Sequence, residues 1–218
     1  AEKNMLSALD FAEKSNDLIS IGCAYRGLGE ILKSSDKAED AAVYFEKAII
    51  AFQKAGDTYG VEEVKELWNR IALDKYIHET TLKPGLDEFL QLLKKQHIKI
   101  GIATSNSRLL LDAFLDARNL TGCIDAITTS CDVNKGKPEP DVYLKTAEKL
   151  AVSPQHCLVF EDIPMGILAG KRAGMTVCAV EDDYSALLRA EKYRLADYYI
   201  TDYRQVLDHT YEDLRGFK

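Results

Sequence analysis

Long apolar runs are missing from the 218 residues. None approaches the roughly 20 consecutive residues that a membrane-spanning helix needs, so no membrane partner is expected. An excess of positive charge is missing too: 28 Lys and Arg stand against 35 Asp and Glu, for a formal net charge of −7. That balance argues against nucleic acid as a partner. The opening AEKNMLSALDFAEKSND carries charge where an export signal would be apolar. Cysteine is sparse and scattered. Cys23, Cys123, Cys131, Cys157 and Cys178 form no CxxC, which argues against a zinc knuckle or a disulfide framework. They read as small hydrophobes in a reducing, cytoplasmic setting. What the chain does have is 46% hydrophobic residues, enough to bury one large core or two small ones.

The hydrophobic period changes near LKPG, at residues 82–85. Ahead of it, Leu18, Ile21, Ala24, Tyr25, Leu28, Ile31 and Leu32 recur at helical spacing, and so do Ala41, Tyr44, Phe45, Ala48, Ile49 and Phe52. These predict two amphipathic helices joined by SSDKAED. The same stretch repeats at a spacing of 40, matching Ala8 with Ala48, Leu9 with Ile49, Lys14 with Lys54, Asp17 with Asp57 and Ile31 with Ile71. Such self-similarity marks stacked helical hairpins. Tyr25, Leu28 and Gly29, followed by Ala41, Phe45 and Ala48, resemble a tetratricopeptide repeat over about one and a half units. A plain helical hairpin serving as cap or spacer is the competing reading.

Beyond the switch, short apolar runs predict strands at 98–103, 124–129, 157–160, 176–180 and 198–200. Helical stretches at 86–95, 107–118, 140–150, 166–173 and 184–194 alternate with them. This alternation predicts an α/β fold with a parallel sheet, whose ligands bind beyond the carboxyl ends of the strands. The expected domains are 1–80, helical, and 81–218, α/β.

Polar groups gather where those strands end. The first strand runs into Thr104, Ser105, Asn106 and Ser107, whose hydroxyls and amides at a helix start suit a phosphate. Helix capping explains such residues equally well. In GKPEPDVY, Lys137 sits on a stiff turn from which an ammonium can reach a phosphate or a carboxylate pair; a solvated loop lysine is the plainer alternative. In VFEDIPMGI, Glu161 and Asp162 end an apolar strand. Desolvated carboxylates there need a cation or donors nearby, and magnesium is a hard ion that suits them.

Taken in order, LKPG, IATSNS, GKPEPDVY, VFEDIPMGI and AGKRAGM resemble the haloacid dehalogenase superfamily, in its phosphatase and β-phosphoglucomutase-like branch, from residue 82 to the end. The resemblance implies a Rossmann-like core acting with Mg2+ on a small phosphorylated metabolite. It gives Thr104 the phosphate contact, with Ser105 and Asn106 beside it. Lys137 becomes the third-motif lysine, catalytic together with Thr104, and Asp162, assisted by Glu161, the fourth-motif magnesium ligand. It also makes VEEVKELWNRIALDKYIHE the last cap helix and return linker, with Tyr76 and His78 near the entrance.

One part of that pattern is missing: the family's nucleophile is the first Asp of a DxD that ends the first strand, and this sequence has no DxD. Asp10 lies in a helical stretch, and Glu181, Asp182 and Asp183 follow a strand too late in the chain. Without the nucleophile, phosphoryl transfer through an aspartyl-phosphate cannot proceed. The missing strand would leave two edges unpaired, between the strands that end at Thr104 and Glu161, unless those strands close up or another segment or chain supplies it. Three readings follow: a catalytically impaired remnant with a replaced front end, an enzyme completed by another polypeptide, or a helical protein-interaction module on a phosphatase-like scaffold.

Overall fold

Asp17 and Asp57 stand 40 residues apart and open their helices in the same way. In the computed structural model, which describes residues 2–33 and 38–217, α1 (Glu2–Ser15) turns through Asn16 and Asp17 into α2 (Leu18–Lys33). Likewise α3 (Ala38–Ala55) turns through Gly56 and Asp57 into α4 (Thr58–His78). Both turns take a positive φ just before the aspartate, 53° at Asn16 and 73° at Gly56. The Asp17 amide donates back to the Ala12 carbonyl at 3.1 Å, and that of Asp57 to Phe52 at 2.9 Å. Each carboxylate then caps its helix. Asp17 accepts from the amides of Ile19 and Ser20 at 3.1 and 3.2 Å, and Asp57 from Gly60 at 3.0 Å. The 40-residue period is therefore a repeat of structure as well as of residue type.

Contacts divide the chain into two units, Ala1–His78 and Glu79–Lys218. In the first, Leu32, Ala41, Phe45, Ala48, Phe52 and Val64 form the buried cluster. Two glycines of α2 make room for its rings. A Cβ on Gly22 would lie 2.7 Å from the Phe52 ring, and one on Gly29 2.7 Å from that of Phe45. Of the predicted SSDKAED connection, residues 38–40 belong to α3 and residues 34–37 lie outside the described residues.

The second unit alternates helix and strand: α5 (Leu86–Lys95), β1 (Gly101–Thr104), α6 (Arg108–Ala117), β2 (Ala126–Thr129), α7 (Asp141–Leu150), β3 (Leu158–Glu161), α8 (Pro164–Arg172), β4 (Thr176–Val180), α9 (Arg189–Leu195), β5 (Tyr198–Ile200), α10 (Arg204–Leu207) and β6 (Glu212–Asp213). Most boundaries fall within two residues of the sequence reading, and two are displaced further. The strand expected from residue 98 starts at Gly101, because the Ile98 amide closes α5 on the Leu93 carbonyl and the Ile100 amide donates to the Asp125 carboxylate at 2.7 Å. The helix expected over 184–194 is delayed to Arg189. Asp182 accepts from the Tyr184 amide at 3.0 Å and a short 3₁₀ turn intervenes at Ala186–Leu188.

β1 pairs in parallel with β2, while β3, β4 and β5 form a parallel set that β6 closes antiparallel. The strands thus form two sheets, and among the described residues β1 and β3 do not pair with each other. Both sheets lean on α7. Ala103 of β1 packs on the core cluster that holds Val142 and Tyr143 of α7 and Val159 of β3. The LKPG turn is fixed separately. Gly85 has φ 78°, a Cβ there would meet the Arg204 backbone nitrogen at 2.5 Å, and the Tyr203 amide donates to the Pro84 carbonyl at 3.0 Å. Among the described residues no helix is long and apolar enough to cross a membrane.

Candidate active site

Thr104 ends β1, and its hydroxyl oxygen accepts the Asn106 amide at 3.0 Å, turning the chain before α6 begins. The cap of α6 is Ser107, whose side chain accepts the Leu110 amide at 3.4 Å. Capping therefore falls to Ser107, and Thr104, Ser105 and Asn106 form a separate turn ahead of it. The Ser105 carbonyl is tied to the neighbouring strand end through the Ser130 hydroxyl at 3.3 Å.

Lys137 and Glu161 meet at the end of β3. The Lys137 ammonium donates to a Glu161 oxygen that also accepts the Tyr143 hydroxyl of α7. The pair is nearly out of water, with side chains 11% and 8% exposed. Gly166 in the first turn of α8 permits this: a Cβ there would lie 2.2 Å from the Glu161 carboxyl. Burial, and then the Glu161 charge, push the Tyr143 hydroxyl well above its ordinary range, so it stays a donor. Lys137 holds three donors; Glu161 takes one and fixes the direction of the others.

Asp162 follows on the same strand end. Burial, then repulsion from Glu161, raise its carboxyl above the usual range. Its carbonyl accepts the Ser185 hydroxyl at 2.6 Å, and Ser185 in turn accepts from Lys192 at 3.0 Å. Lys192 is fully buried. Lys83, from the LKPG turn, donates to Asp182 at 2.7 Å and to the Glu181 carbonyl at 2.9 Å. Burial works to raise Asp182, but the Lys83 hydrogen bond and charge outweigh it and hold the carboxyl low. The sequence reading missed Tyr143, Lys83, Ser185 and Lys192. Tyr143 and Lys83 lay inside motifs already singled out, while Ser185 and Lys192 carried no local signal.

A resident cation asks more of these residues than they give. Magnesium prefers six oxygen donors, with one or two carboxylates among them. Glu161 is engaged by Lys137 and Tyr143, and the charge of Asp162 is already offset in part by that of Lys83. Among the described residues no group of three or more His, Cys, Asp and Glu side chains could hold a metal ion. The donor set does not fit Mg2+ by itself.

A hydroxyl turn ends β1 and a buried lysine with adjacent carboxylates ends β3, in an α/β fold of the kind whose ligand sites lie at the carboxyl ends of its strands. The chain belongs to the family described as haloacid dehalogenase-like hydrolase, whose model matches residues 28–180. It is 33% identical over 163 residues to the beta-phosphoglucomutase of Bacillus subtilis, covering 71% of this chain and 68% of that one. It is 34% identical over 122 residues to the Validoxylamine A 7'-phosphate phosphatase of Streptomyces hygroscopicus subsp. limoneus, covering 56% and 55%, so it spans about half of that relative. Among solved structures, a HAD phosphatase from Thermococcus onnurineus superposes with a TM-score of 0.61 at 21% identity, over 96% of this chain and 92% of that one. The relatives support a phosphate-ester hydrolase type of function. Phosphatases of this family generally use Mg2+. The family match begins inside α2, so it takes in the end of that helix together with α3 and α4.

Proposed function

We propose that residues 79–218 bind the phosphate of a small phosphorylated metabolite and that these 218 residues alone do not complete its transfer. The observation that carries this reading is the gap between β1 and β3. On either side of it stand Thr104 and Lys137 with Glu161, and no DxD occurs in the sequence to supply an attacking carboxylate. Thr104, Ser105 and Asn106 present a hydroxyl and amides to the phosphate, and Lys137, aimed by Glu161 and Tyr143, neutralises its charge. None of these residues stands in a DxD, the pattern whose first carboxylate accepts the phosphoryl group in this family.

The test has two arms on the same chain. Inorganic phosphate at millimolar concentration shifts the backbone amide resonances of Thr104 and Ser105, and unchanged spectra would remove the phosphate site. With magnesium and a panel of sugar phosphates, phosphate release stays at the level of a Lys137→Ala control. Release above that level would show that a nucleophile is present after all. The helical unit keeps its tetratricopeptide-like reading on the strength of the turn geometry repeated at Asp17 and Asp57.

A further inference from the structure

The turn that follows β4 is held firmly at its base and yet sends its largest side chains into water. Ser185 is buried, donates to the Asp162 carbonyl at 2.6 Å and accepts from Lys192 at 3.0 Å. The Leu188 amide closes the 3₁₀ turn on the Ser185 carbonyl at 2.9 Å, and Asp182 ahead of it is bridged to Lys83 at 2.7 Å. On this base Tyr184 is 95% exposed and Leu187 100%. A leucine presented on an anchored turn is already ordered, so docking it costs little further entropy.

Beside that leucine lies a hole. Leu188, the next residue, forms one wall of an apolar pocket of about 320 Å3, whose other walls include Pro138, Ile163, Met165, Leu168 and Leu195. A leucine side chain fits within that space. Met165 and Leu188 remain 52% and 45% exposed. Charges around the pocket are answered locally: Glu191 on its rim pairs with Arg194 at 3.6 Å, and Arg172, which donates to the Pro138 carbonyl at 3.1 Å, pairs with Glu139 at 2.9 Å. Charges paired in this way offer a charged partner little to grip. They also let a second copy approach without the repulsion that a chain of formal net charge −7 would meet at an acidic rim.

Tyr184, Leu187, Leu188 and Met165 together expose on the order of 500 Å2, the upper end of what a monomer leaves in one apolar patch. With the pocket walls added, the area approaches the roughly 800 Å2 that each partner gives to a standard interface. A knob standing next to the hole that fits it suits an isologous two-fold contact, because each copy then gives its knob and receives the other's. We propose that this face of residues 79–218 pairs two copies of the chain, each placing Leu187 in the other's pocket against Met165, Leu168 and Leu195. The contact is built from residues 138–195 alone, so it is independent of the helical unit and of the phosphate-site reading.

Sedimentation equilibrium of the full chain, from micromolar to submillimolar concentration, tests it. A reversible monomer–dimer equilibrium is expected. Leu187→Lys and Met165→Glu, both at exposed positions, each weaken it at least tenfold with thermal unfolding unchanged. Mixed in equal amounts, the two variants pair at least tenfold more tightly than either does with itself: one chain keeps its pocket, the other keeps its leucine, and lysine faces glutamate at the second contact. A chain that stays monomeric throughout overturns the proposal. So does a dimer indifferent to either substitution, as pairing through open strand edges would be, and so do variants that gain nothing on mixing.

Discussion

Glu161 is held from three sides, by Lys137, by Tyr143 and by the close backbone of Gly166. Removing one partner of a buried ion pair strands the other charge, which commonly destabilises by about 3–5 kcal/mol. Glu161→Gln is therefore expected to lower urea stability by that order, and Glu161→Leu with Lys137→Met to recover most of the loss. A double variant as weak as the single one would mean that the pair is not what holds this corner. Chemical reactivity follows burial in the same way. Burial pushes the Cys178 thiol up to about 12, while Cys23 and Cys131 are exposed. At pH 8.5 an alkylating reagent should label Cys23 and Cys131 in the folded chain and reach Cys178 only after unfolding, since a thiol stays unreactive until pH nears its pKa. Mass spectrometry of the labelled peptides checks the order. Lys137, Glu161 and Asp162 were legible because strand-end carboxylates and a lysine between glycine and proline are local patterns. The Lys83 to Asp182 bridge was not, because it joins residues 99 apart that only the folded sheet brings together.

Helices and strands follow their local rules where no distant partner intervenes. The hairpin turns at Asn16–Asp17 and Gly56–Asp57 were visible as a 40-residue echo because capping is a short-range interaction. Asp57→Ala removes the acceptor of the Gly60 amide and is expected to cost about 1 kcal/mol of thermal stability. A melting temperature unchanged by that substitution would show that the turn, and not the carboxylate, sets the helix start. The two most displaced boundaries each involve an amide that finds a carboxylate. A distant side chain, Asp125, claims the Ile100 amide ahead of β1, and an Asp182 turn with a 3₁₀ segment delays α9. Apolar periodicity registers neither, because it records which face is buried and not which amide finds a carboxylate.

At the level of the whole second unit, a parallel sheet divided in two is the dominant feature. Alternation of period made the helices and strands legible, and the resemblance supplied their order. The residues themselves did not say whether β1 and β3 would close up across the missing strand. They do not, and Ile102 to Thr104 stay partly open while Val177 to Val180 of β4 are buried. β4 has partners on both sides and β1 on one, so amides of Ile102 and Ala103 should exchange with deuterium on the order of 100-fold faster than those of Val177 and Ala179. Equal protection would mean that something already pairs with the β1 edge. An open strand margin is also adhesive. Among the described residues the two sheets have four such margins, on β1, β2, β3 and β6, so crowded chains have edges to zip together that dilute ones keep wet, and low protein concentration favours the separate molecule.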